Sequence, residues 1–316
     1  MSFGTAMARC VLGARCALGI AWLASGACSD GLGDRTIRLV GSDTEVNVAQ
    51  RLAEAYRARH PEMVVSVAGG GSGAGIAALL DGRTDVANAS RKIRDEELEL
   101  ARARGLDVDR ITLGIDALAV IVHASNPVQS ATLEQLGALY RGEVDSWSEI
   151  SAHDAPVTLY GRQSNSGTYI FFRKSVVKDD YALGMRNLNG NAQVLEAVRR
   201  DPAGIGYVGV GYVASDGGNA AEGIRILGIE TAGGDVVHPS DGERVEAGEY
   251  PISRPLLQYF CVPVAGHVAE FLRFELSEDG QEFVADEGFY RVSDGTRKKD
   301  IELLKRTRAE AAPDGA

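Results

Sequence analysis

The order of apolar and polar residues along the chain predicts strands that alternate with helices. Short β-rich runs are separated by stretches in which apolar residues recur at the spacing of one helix face. The elements predicted in the first third are strands at 36–40, 63–67 and 85–89 and helices at 46–59, 76–80 and 95–104. Alternation of this kind is typical of parallel βαβ units, so the pattern favours an α/β fold.

The same alternation restarts after residue 123. Before it lies a long apolar and β-branched run, 111–122, which only Gly114 and Asp116 interrupt. Residues 215–248 are rich in glycine and acids and are predicted to be mostly loop. The highly charged tail beyond Thr296 is predicted to be solvated and frayed. The remaining predicted elements are helices at 133–140, 167–177, 193–199 and 268–285 and strands at 157–160, 204–208 and 256–264.

Length and composition limit the classes of protein to consider. The 316 residues are enough for two modest lobes or one large α/β domain, and 45% hydrophobic with 24% charged residues is ordinary for a soluble globular protein. The formal net charge of −11 argues against a nucleic acid partner, which calls for basic surfaces. A small anion is compatible with this charge, because it responds to the donors of its own cleft.

The N-terminus has the features of an export signal. Arg9 and Arg15 precede a short apolar run at 16–24, and small residues then lead to Cys28. Residues 1–27 are therefore predicted to be a signal peptide, with Cys28 as the lipidated cysteine of a bacterial lipoprotein. Such signals usually have Leu three residues before the cysteine, where this chain has Ser25. The alternative is cleavage at an ordinary small-residue site, which would leave Cys28 a plain thiol.

Three turns of small, hydroxyl-bearing residues each connect a predicted strand to a predicted helix. They lie at 41–44, 70–75 and 162–168, and the third begins with Arg162. A helix N-terminus presents unpaired N–H groups and a partial positive charge, so such turns can bind anions. Each turn alone could be no more than a helix cap. Together they favour an anion site, since the guanidinium fork of Arg162 matches an oxyanion in a bidentate way.

Several of these segments, in this order, are similar to one known family. The segments are Arg162-x-x-x-Ser166-Gly167-Thr168 followed by Phe171-Phe172, Gly71-Ser72-Gly73-Ala74-Gly75 ahead of residues 85–91, residues 114–120, residues 204–207, and Tyr250-Pro251-x-x-Arg254-Pro255. Over residues 37–292 the chain resembles the phosphate-binding (PstS-type) proteins of ABC phosphate importers. The resemblance implies a two-lobed periplasmic-binding-protein fold of type II, in which each lobe is a mixed sheet flanked by helices and the ligand lies in the interlobe cleft. It divides the chain into lobe I (34–118 plus 255–296), lobe II (119–254) and a charged tail (297–316).

The resemblance also implies a set of ligand-binding residues. The family's phosphate ligands fall on Asp43, Thr44, Ser72, Ser90, Arg162, Ser166, Gly167 and Thr168. Three positions depart from the family's pattern: Asp43 replaces a frequent hydroxyl, Ser90 replaces a frequent Asp, and Ser164 stands where some members have an acid that steers the arginine. Asp43 is thus either the acceptor for the phosphate proton or the cap of the following helix.

Expectations about partners follow from the same resemblance. It implies a monomeric, extracytoplasmic binding protein that is not an enzyme, needs no cofactor or metal, and passes inorganic phosphate to ABC permease subunits. A lipid anchor would be its only contact with the membrane. A sensor that binds phosphate without transporting it, or a binding protein for sulfate, molybdate or another oxyanion, fits the same sequence.

Two enzymatic alternatives have weaker support. Gly69-x-Gly71-x-x-Ala74 followed by Asp95 resembles a dinucleotide-binding turn, but it lies in the second βα unit and glycine-rich turns are common in this chain. A serine hydrolase is disfavoured because there is no Gly-x-Ser-x-Gly elbow. The five histidines are scattered along the sequence, and no pair has the spacing of metal ligands.

Overall fold

Strands and helices alternate through most of the chain. The computed structural model describes residues 35–213 and 221–308, so the predicted signal peptide 1–27 and Cys28 lie outside the described residues. In chain order the strands are β1 (Thr36–Gly41), β2 (Val64–Ala68), β3 (Val86–Ala89), β4 (Asp107–Ala117), β5 (Ala119–His123), β6 (Ser130–Thr132), β7 (Thr158–Arg162), β8 (Arg186–Leu188), β9 (Gly204–Val208), β10 (Ile224–Ile226), β11 (Gly228–Glu230), β12 (Val236–Val237) and β13 (Ser253–Val262).

Ten α-helices connect or cover these strands in the described part of the chain. They are α1 (Val46–Arg59), α2 (Ser72–Leu80), α3 (Asp95–Ala103), α4 (Leu133–Arg141), α5 (Gly167–Phe172), α6 (Asn191–Arg200), α7 (Gly242–Glu246), α8 (Gly266–Glu275), α9 (Glu278–Asp286) and α10 (Asp294–Thr307). A π-helical turn, Arg173–Val177, continues α5.

Two five-stranded mixed sheets form the centres of two lobes, which confirms the predicted fold class. The first sheet has the order β2-β1-β3-β13-β4, with β1 parallel to β2 and β3 and with β13 antiparallel to β3 and β4. The second has the order β10-β5-β9-β7-β8, with β7 parallel to β8 and β9. We call the first sheet with α1–α3 and α8–α10 lobe I, and the second sheet with α4–α6 lobe II. A small sheet, β12-β11-β6, adjoins lobe II.

The chain passes between the lobes at two adjacent points. β4 and β5 meet at Leu118, whose N–H donates to the Ile252 carbonyl at 3.0 Å. Ser253, the first residue of β13, pairs with Ala117 at the end of β4. The Tyr250 hydroxyl also donates to the Leu118 carbonyl, at 2.7 Å. Two crossings held side by side are the usual construction of a hinge between lobes.

Alternating burial explains why the strands form where the sequence predicts them. On β1, Ile37 and Leu39 are fully buried, whereas Arg38 points outward and forms an ion pair with Asp85. β9 is buried along its whole length, which fits its position between β5 and β7. The ring of Tyr207 in β9 stacks on the ring of Phe172 in α5, with their centroids 4.1 Å apart, and this contact fixes α5 against the sheet.

The structure corrects two predictions near the C-terminus. The helix predicted at 268–285 is two helices, because the Ser277 hydroxyl accepts a hydrogen bond from Gly280 N–H and caps a new helix, α9. The tail expected to be frayed beyond Thr296 instead lies in α10 as far as residue 307. Leu304 of that helix is buried, and Asp300 accepts a hydrogen bond from Thr112 N–H at 2.8 Å. High charge therefore marks the exposed face of a docked helix.

The loop predicted at 215–248 contains short ordered elements in its described part. β10, β11, β12 and α7 all lie within residues 221–248. None has more than five residues, so none carries a periodicity long enough to be recognised in the sequence. Among the described residues, no helix combines the length and apolarity required to cross a bilayer.

Candidate functional site

The three predicted turns meet where the lobes face each other. The first two follow β1 and β2 in lobe I, and the third follows β7 in lobe II. Across the boundary, Thr44 Oγ1 lies 3.1 Å from Thr168 Oγ1. Gly167 packs so closely on lobe I that a Cβ atom there would lie 2.6 Å from Ser90 Oγ. Ligands of α/β proteins commonly bind at the carboxyl ends of strands, and this cleft is such a place.

Within lobe I, two serines form one hydroxyl pair. Ser72 is the first residue of α2 and Ser90 directly follows β3. Their Oγ atoms are 3.4 Å apart, and Ser90 N–H donates to Ser72 Oγ at 3.1 Å. In lobe II, Ser166 Oγ caps α5 by accepting the N–H of Thr168 at 3.2 Å. The structure thus brings together the hydroxyl residues that the sequence assigned to the cleft.

Arg162 supplies a buried positive charge at the end of β7. Its Nη2 donates to Asp43 Oδ2 at 2.6 Å and to the Asn189 carbonyl at 2.8 Å. Its Nε and Nη1 are buried and have no hydrogen-bond partner within residues 35–213 and 221–308. Burial lowers the pKa of Arg162, and neighbouring Asp43 opposes that shift. A buried guanidinium with two unpaired nitrogens is a strong donor set for an anion.

Asp43 does not cap the following helix. One carboxylate oxygen accepts the N–H of Gly70 at 3.0 Å, and the other accepts from Arg162. α1 begins after Glu45 without any side-chain cap. The interpretation of Asp43 as a helix cap is therefore wrong. Asp43 instead orients the arginine across the cleft, as the acid at the position of Ser164 is expected to do in some relatives.

The cleft contains a second buried arginine that is not among the site residues predicted from the sequence. Arg254, near the start of β13, pairs with Asp116 at 2.7 Å, and both side chains are almost fully buried. Its Nη2 also donates to Thr168 Oγ1 at 2.9 Å and to Thr44 Oγ1 at 3.4 Å. Its Nη1 has no partner among the residues described. The sequence signal for this residue is the segment Tyr250-Pro251-x-x-Arg254-Pro255, which supports the family resemblance but does not by itself indicate a ligand contact.

A family model identifies the class of protein to which this chain is similar. The model is described as a PBP superfamily domain, and it matches residues 28–279, well over half of the chain. The chain belongs to the PBP superfamily.

Individual relatives agree with this membership. The phosphate-binding protein PstS of Pseudomonas aeruginosa is 28% identical over 283 residues, which cover 84% of this chain and 85% of that protein. The protein SphX of Synechococcus elongatus is 29% identical over 76% of this chain and 73% of its own length. Among solved structures, a phosphate ABC transporter substrate-binding protein with bound phosphate from Clostridium perfringens superposes with a TM-score of 0.73. It is 26% identical, and the alignment covers 82% of this chain and all of that chain.

In this PBP-superfamily chain, direct bonds between the lobes close the cleft on one side. Asn165 of lobe II donates from Nδ2 to the Gly70 carbonyl at 2.9 Å, and its own carbonyl accepts the N–H of Gly73 at 3.0 Å. Gly71 lies beneath that carbonyl with φ of 89°, and a Cβ atom would come within 2.9 Å of it. Glycine is required there by both the backbone conformation and the close approach. The second turn of the cleft is thus shaped to receive the third.

On another side, a groove of about 730 Å³ opens between the lobes of this PBP-superfamily chain. Lys92 and Arg94 line it from lobe I and Lys174 lines it from lobe II, and it is also lined by Ser90 and Arg254. The groove joins the surface to groups of the site, and although Asp95 and Glu96 also line it, its cations outnumber these acids. No group of three His, Cys, Asp or Glu residues in the described ranges is placed to hold a metal ion.

Proposed function

We propose that this chain captures inorganic phosphate between its two lobes and delivers it to an ABC permease. The observation that carries the proposal is Arg162, a buried cation in the cleft whose Nε and Nη1 have no hydrogen-bond partner among the described residues. The names of the relatives support phosphate as the ligand and an ABC transporter as the partner. The proposal is for binding without a chemical step.

The proposed ligand set combines charge with short hydroxyl donors. It consists of Asp43, Thr44, Ser72, Ser90, Arg162, Ser166, Gly167 and Thr168, with Arg254 added from the structure. Hydrogen bonds to a charged group stabilise by about 1.5–3 kcal/mol each, so several of them offset the dehydration of a small anion. The proposed division of the chain is residues 34–118 plus 255–296 for lobe I and residues 119–254 for lobe II, and α10 extends lobe I to residue 307.

The proposed location is the extracytoplasmic face of the membrane. Residues 1–27 would direct export and Cys28 would carry the lipid anchor, leaving a monomeric body free to reach the permease. Removal of a signal peptide and lipidation are both visible in the mass of the mature protein. The mass of the unprocessed chain would contradict export, and cleavage without lipid would leave the protein unanchored.

Calorimetry of the delipidated protein, stripped of bound ligand, tests the proposed ligand. Phosphate, sulfate, molybdate and NAD are titrated under the same conditions. Heat with phosphate at low concentration and little heat with the other three supports the proposal. Tighter binding of sulfate or molybdate would reassign the site to another oxyanion, and binding of NAD alone would overturn the anion site.

Phosphate is expected to make the protein more compact. The ligand would contact groups of both lobes, so it favours the arrangement in which Thr44 and Thr168 are adjacent. Small-angle scattering should show a smaller radius of gyration when phosphate is added to stripped protein. Asn165→Ala is measured in the same way, because this variant loses the hydrogen bond from Asn165 Nδ2 to the Gly70 carbonyl of lobe I and keeps all the proposed ligands. An unchanged radius in wild type under saturating phosphate would indicate a rigid cleft.

Replacement of Asp43 by Asn is expected to weaken phosphate binding and reduce the preference over sulfate. Phosphate carries at least one proton at neutral pH, whereas sulfate carries none, and a carboxylate has about four lone-pair sites for donors. Asp43 uses only part of this capacity on Gly70 and Arg162. The amide of asparagine can donate hydrogen bonds to sulfate, which a carboxylate cannot do. The ratio of phosphate to sulfate affinity should therefore fall by about tenfold or more.

Calorimetry with both anions measures that ratio. Asp85→Asn is the matched control, since Asp85 forms an ion pair with Arg38 on the outer part of lobe I. If Asp43→Asn leaves the ratio unchanged, Ser90 becomes the better candidate for the acceptor of the phosphate proton.

A further inference from the structure

A buried polar cluster lies directly behind the first turn of the cleft. Glu45 follows the proposed ligand Thr44 and is fully buried. Neither of its carboxylate oxygens has a hydrogen-bond partner in the described part of the chain. Glu275, at the end of α8, is also fully buried and has one oxygen without a partner within the same residues. Neither carboxyl group takes part in the proposed anion set.

The cluster contains more acceptors than donors. Gln258 Nε2 is shared between Glu275 Oε1 at 3.2 Å and Asn88 Oδ1 at 3.3 Å. Gln258 Oε1 and Ser42 Oγ, like the oxygens of Glu45, have no partner among the residues described. Two buried carboxylates without paired cations would be strongly destabilising. Protons on the carboxyl groups remove the charge and supply the missing donors.

The charged surroundings of Glu45 give its ionisation a route to the anion site. The charged groups that act on it are Arg254 of β13, Asp116 of β4 and Glu275 of α8. Burial raises the pKa of Glu45 well above its ordinary value, Arg254 opposes the shift, and Glu275 and Asp116 add to it. Burial likewise raises the pKa of Glu275 to about 8.

We propose that Glu45 is a proton-binding residue of this protein: as a neutral acid it leaves Arg254 free to support anion capture, and its ionisation weakens that capture. Arg254 already neutralises Asp116 and donates to the hydroxyls of Thr44 and Thr168. A charged Glu45 would add a second carboxylate to the charges that act on this arginine, one residue from Thr44. Glu45 is thus a positioning residue that acts through Arg254 and lowers the positive potential when it loses its proton.

The test rests on the proposed binding of phosphate and compares pH profiles. Phosphate affinity is measured from about pH 5 to about pH 10 for wild type, Glu45→Gln and Glu54→Gln, a range that starts above the ordinary pKa of glutamate and includes the pKa of about 8 of Glu275. Glu54 lies on α1, the helix that follows Glu45, and its side chain is exposed. Glu54→Gln is therefore the same substitution at a solvent-exposed position. The ionisation of phosphate cancels in the ratio of the affinities of variant and wild type.

A raised acid is protonated at low pH, so wild type and Glu45→Gln should bind phosphate equally there. As the pH rises through the pKa of Glu45, wild type should lose about tenfold in affinity relative to Glu45→Gln, a typical size for coupling between sites. Glu54→Gln should follow wild type at every pH. Parallel profiles of wild type and Glu45→Gln would overturn the proposal.

A spectroscopic readout keeps the proposal testable if binding or folding fails. Infrared difference spectra of wild type minus Glu45→Gln should contain the carbonyl band of a protonated carboxylic acid at neutral pH. A carboxylate band there, with a stability that depends on Na⁺, would overturn the proposal by assigning the cluster to a cation. If no protein binds phosphate at any pH, the proposed function fails while the infrared result still decides the state of Glu45. If Glu45→Gln does not fold, Glu275→Gln is tested with the same titration, and its profile must also diverge from wild type.

Discussion

Arg162→Lys is expected to lose about 100-fold or more in phosphate affinity, because two charge-assisted hydrogen bonds disappear at once. In the structure Arg162 Nη2 is committed to Asp43 and the Asn189 carbonyl, while Nε and Nη1 are unpaired among the described residues. A lysine ammonium is a single point of charge and cannot serve Asp43 and a bidentate anion in the same geometry. The carboxylate of Asp43 would hold it away from the ligand.

Two controls make this result specific to the cleft. Arg83→Lys changes an exposed arginine that pairs with Asp81, and it should leave phosphate affinity unchanged. Thermal unfolding of Arg162→Lys shows whether the fold is intact, since a loss of binding counts only in a folded protein. Equal affinity of Arg162→Lys and wild type would exclude Arg162 from the site and remove the main support for the proposed function.

The sequence predicts the local parts of this site well, because they depend on neighbouring residues. Each turn has glycines, serines or threonines directly between a strand and a helix, and those residue types determine the turn and the helix start. The start of α2 illustrates the limit. The sequence placed it at residue 76, but it begins at Ser72, because Gly71 has the positive φ that lets the helix begin earlier.

Interactions across the fold could not be predicted in the same way. Asp43 lies 119 residues from Arg162, and a carboxylate in a turn before a helix is ordinarily a cap. Its real partners become visible only when the lobes are placed together. Glu45 posed the same problem, since an acid just before a helix is ordinary on a surface. It is nevertheless fully buried, and two of the charged groups that act on it, Arg254 of β13 and Glu275 of α8, come from the other end of the chain.

The charged C-terminal segment shows how composition can mislead. Its lysines, arginines and acids suggested a solvated tail. The helix α10 has few buried positions, but Leu304 packs into the core of lobe I and Asp300 accepts the N–H of Thr112 in β4. Ile301 and Leu303 also pack partly against this core, and the Thr307 carbonyl accepts the N–H of Val264 at 2.8 Å, so α10 docks along one face while its other faces are in water. A window of sequence does not reveal which strand will supply the partner.

Arg254 is the second residue whose replacement should have a large effect, because it connects the hinge to both lobes. It lies on the strand that returns from lobe II, pairs with buried Asp116, and donates to Thr44 and Thr168. Its guanidinium carbon also lies 5.2 Å from the ring centroid of Phe171. The arginine therefore couples the hydroxyls of the two lobes to the point where they pivot.

Arg254→Met is expected to destabilise the protein by about 3–5 kcal/mol, because it leaves the carboxylate of Asp116 buried without its cation. The double variant Arg254→Met/Asp116→Asn removes both charges and should recover most of that stability, since an amide oxygen can still accept the N–H of Val210. Phosphate affinity should stay at least about tenfold below wild type in the double variant, because the charge and the donors to Thr44 and Thr168 are still absent. Chemical denaturation measures the first quantity and calorimetry the second. A double variant with both wild-type stability and wild-type affinity would show that Arg254 supports only the hinge and contributes nothing to anion binding.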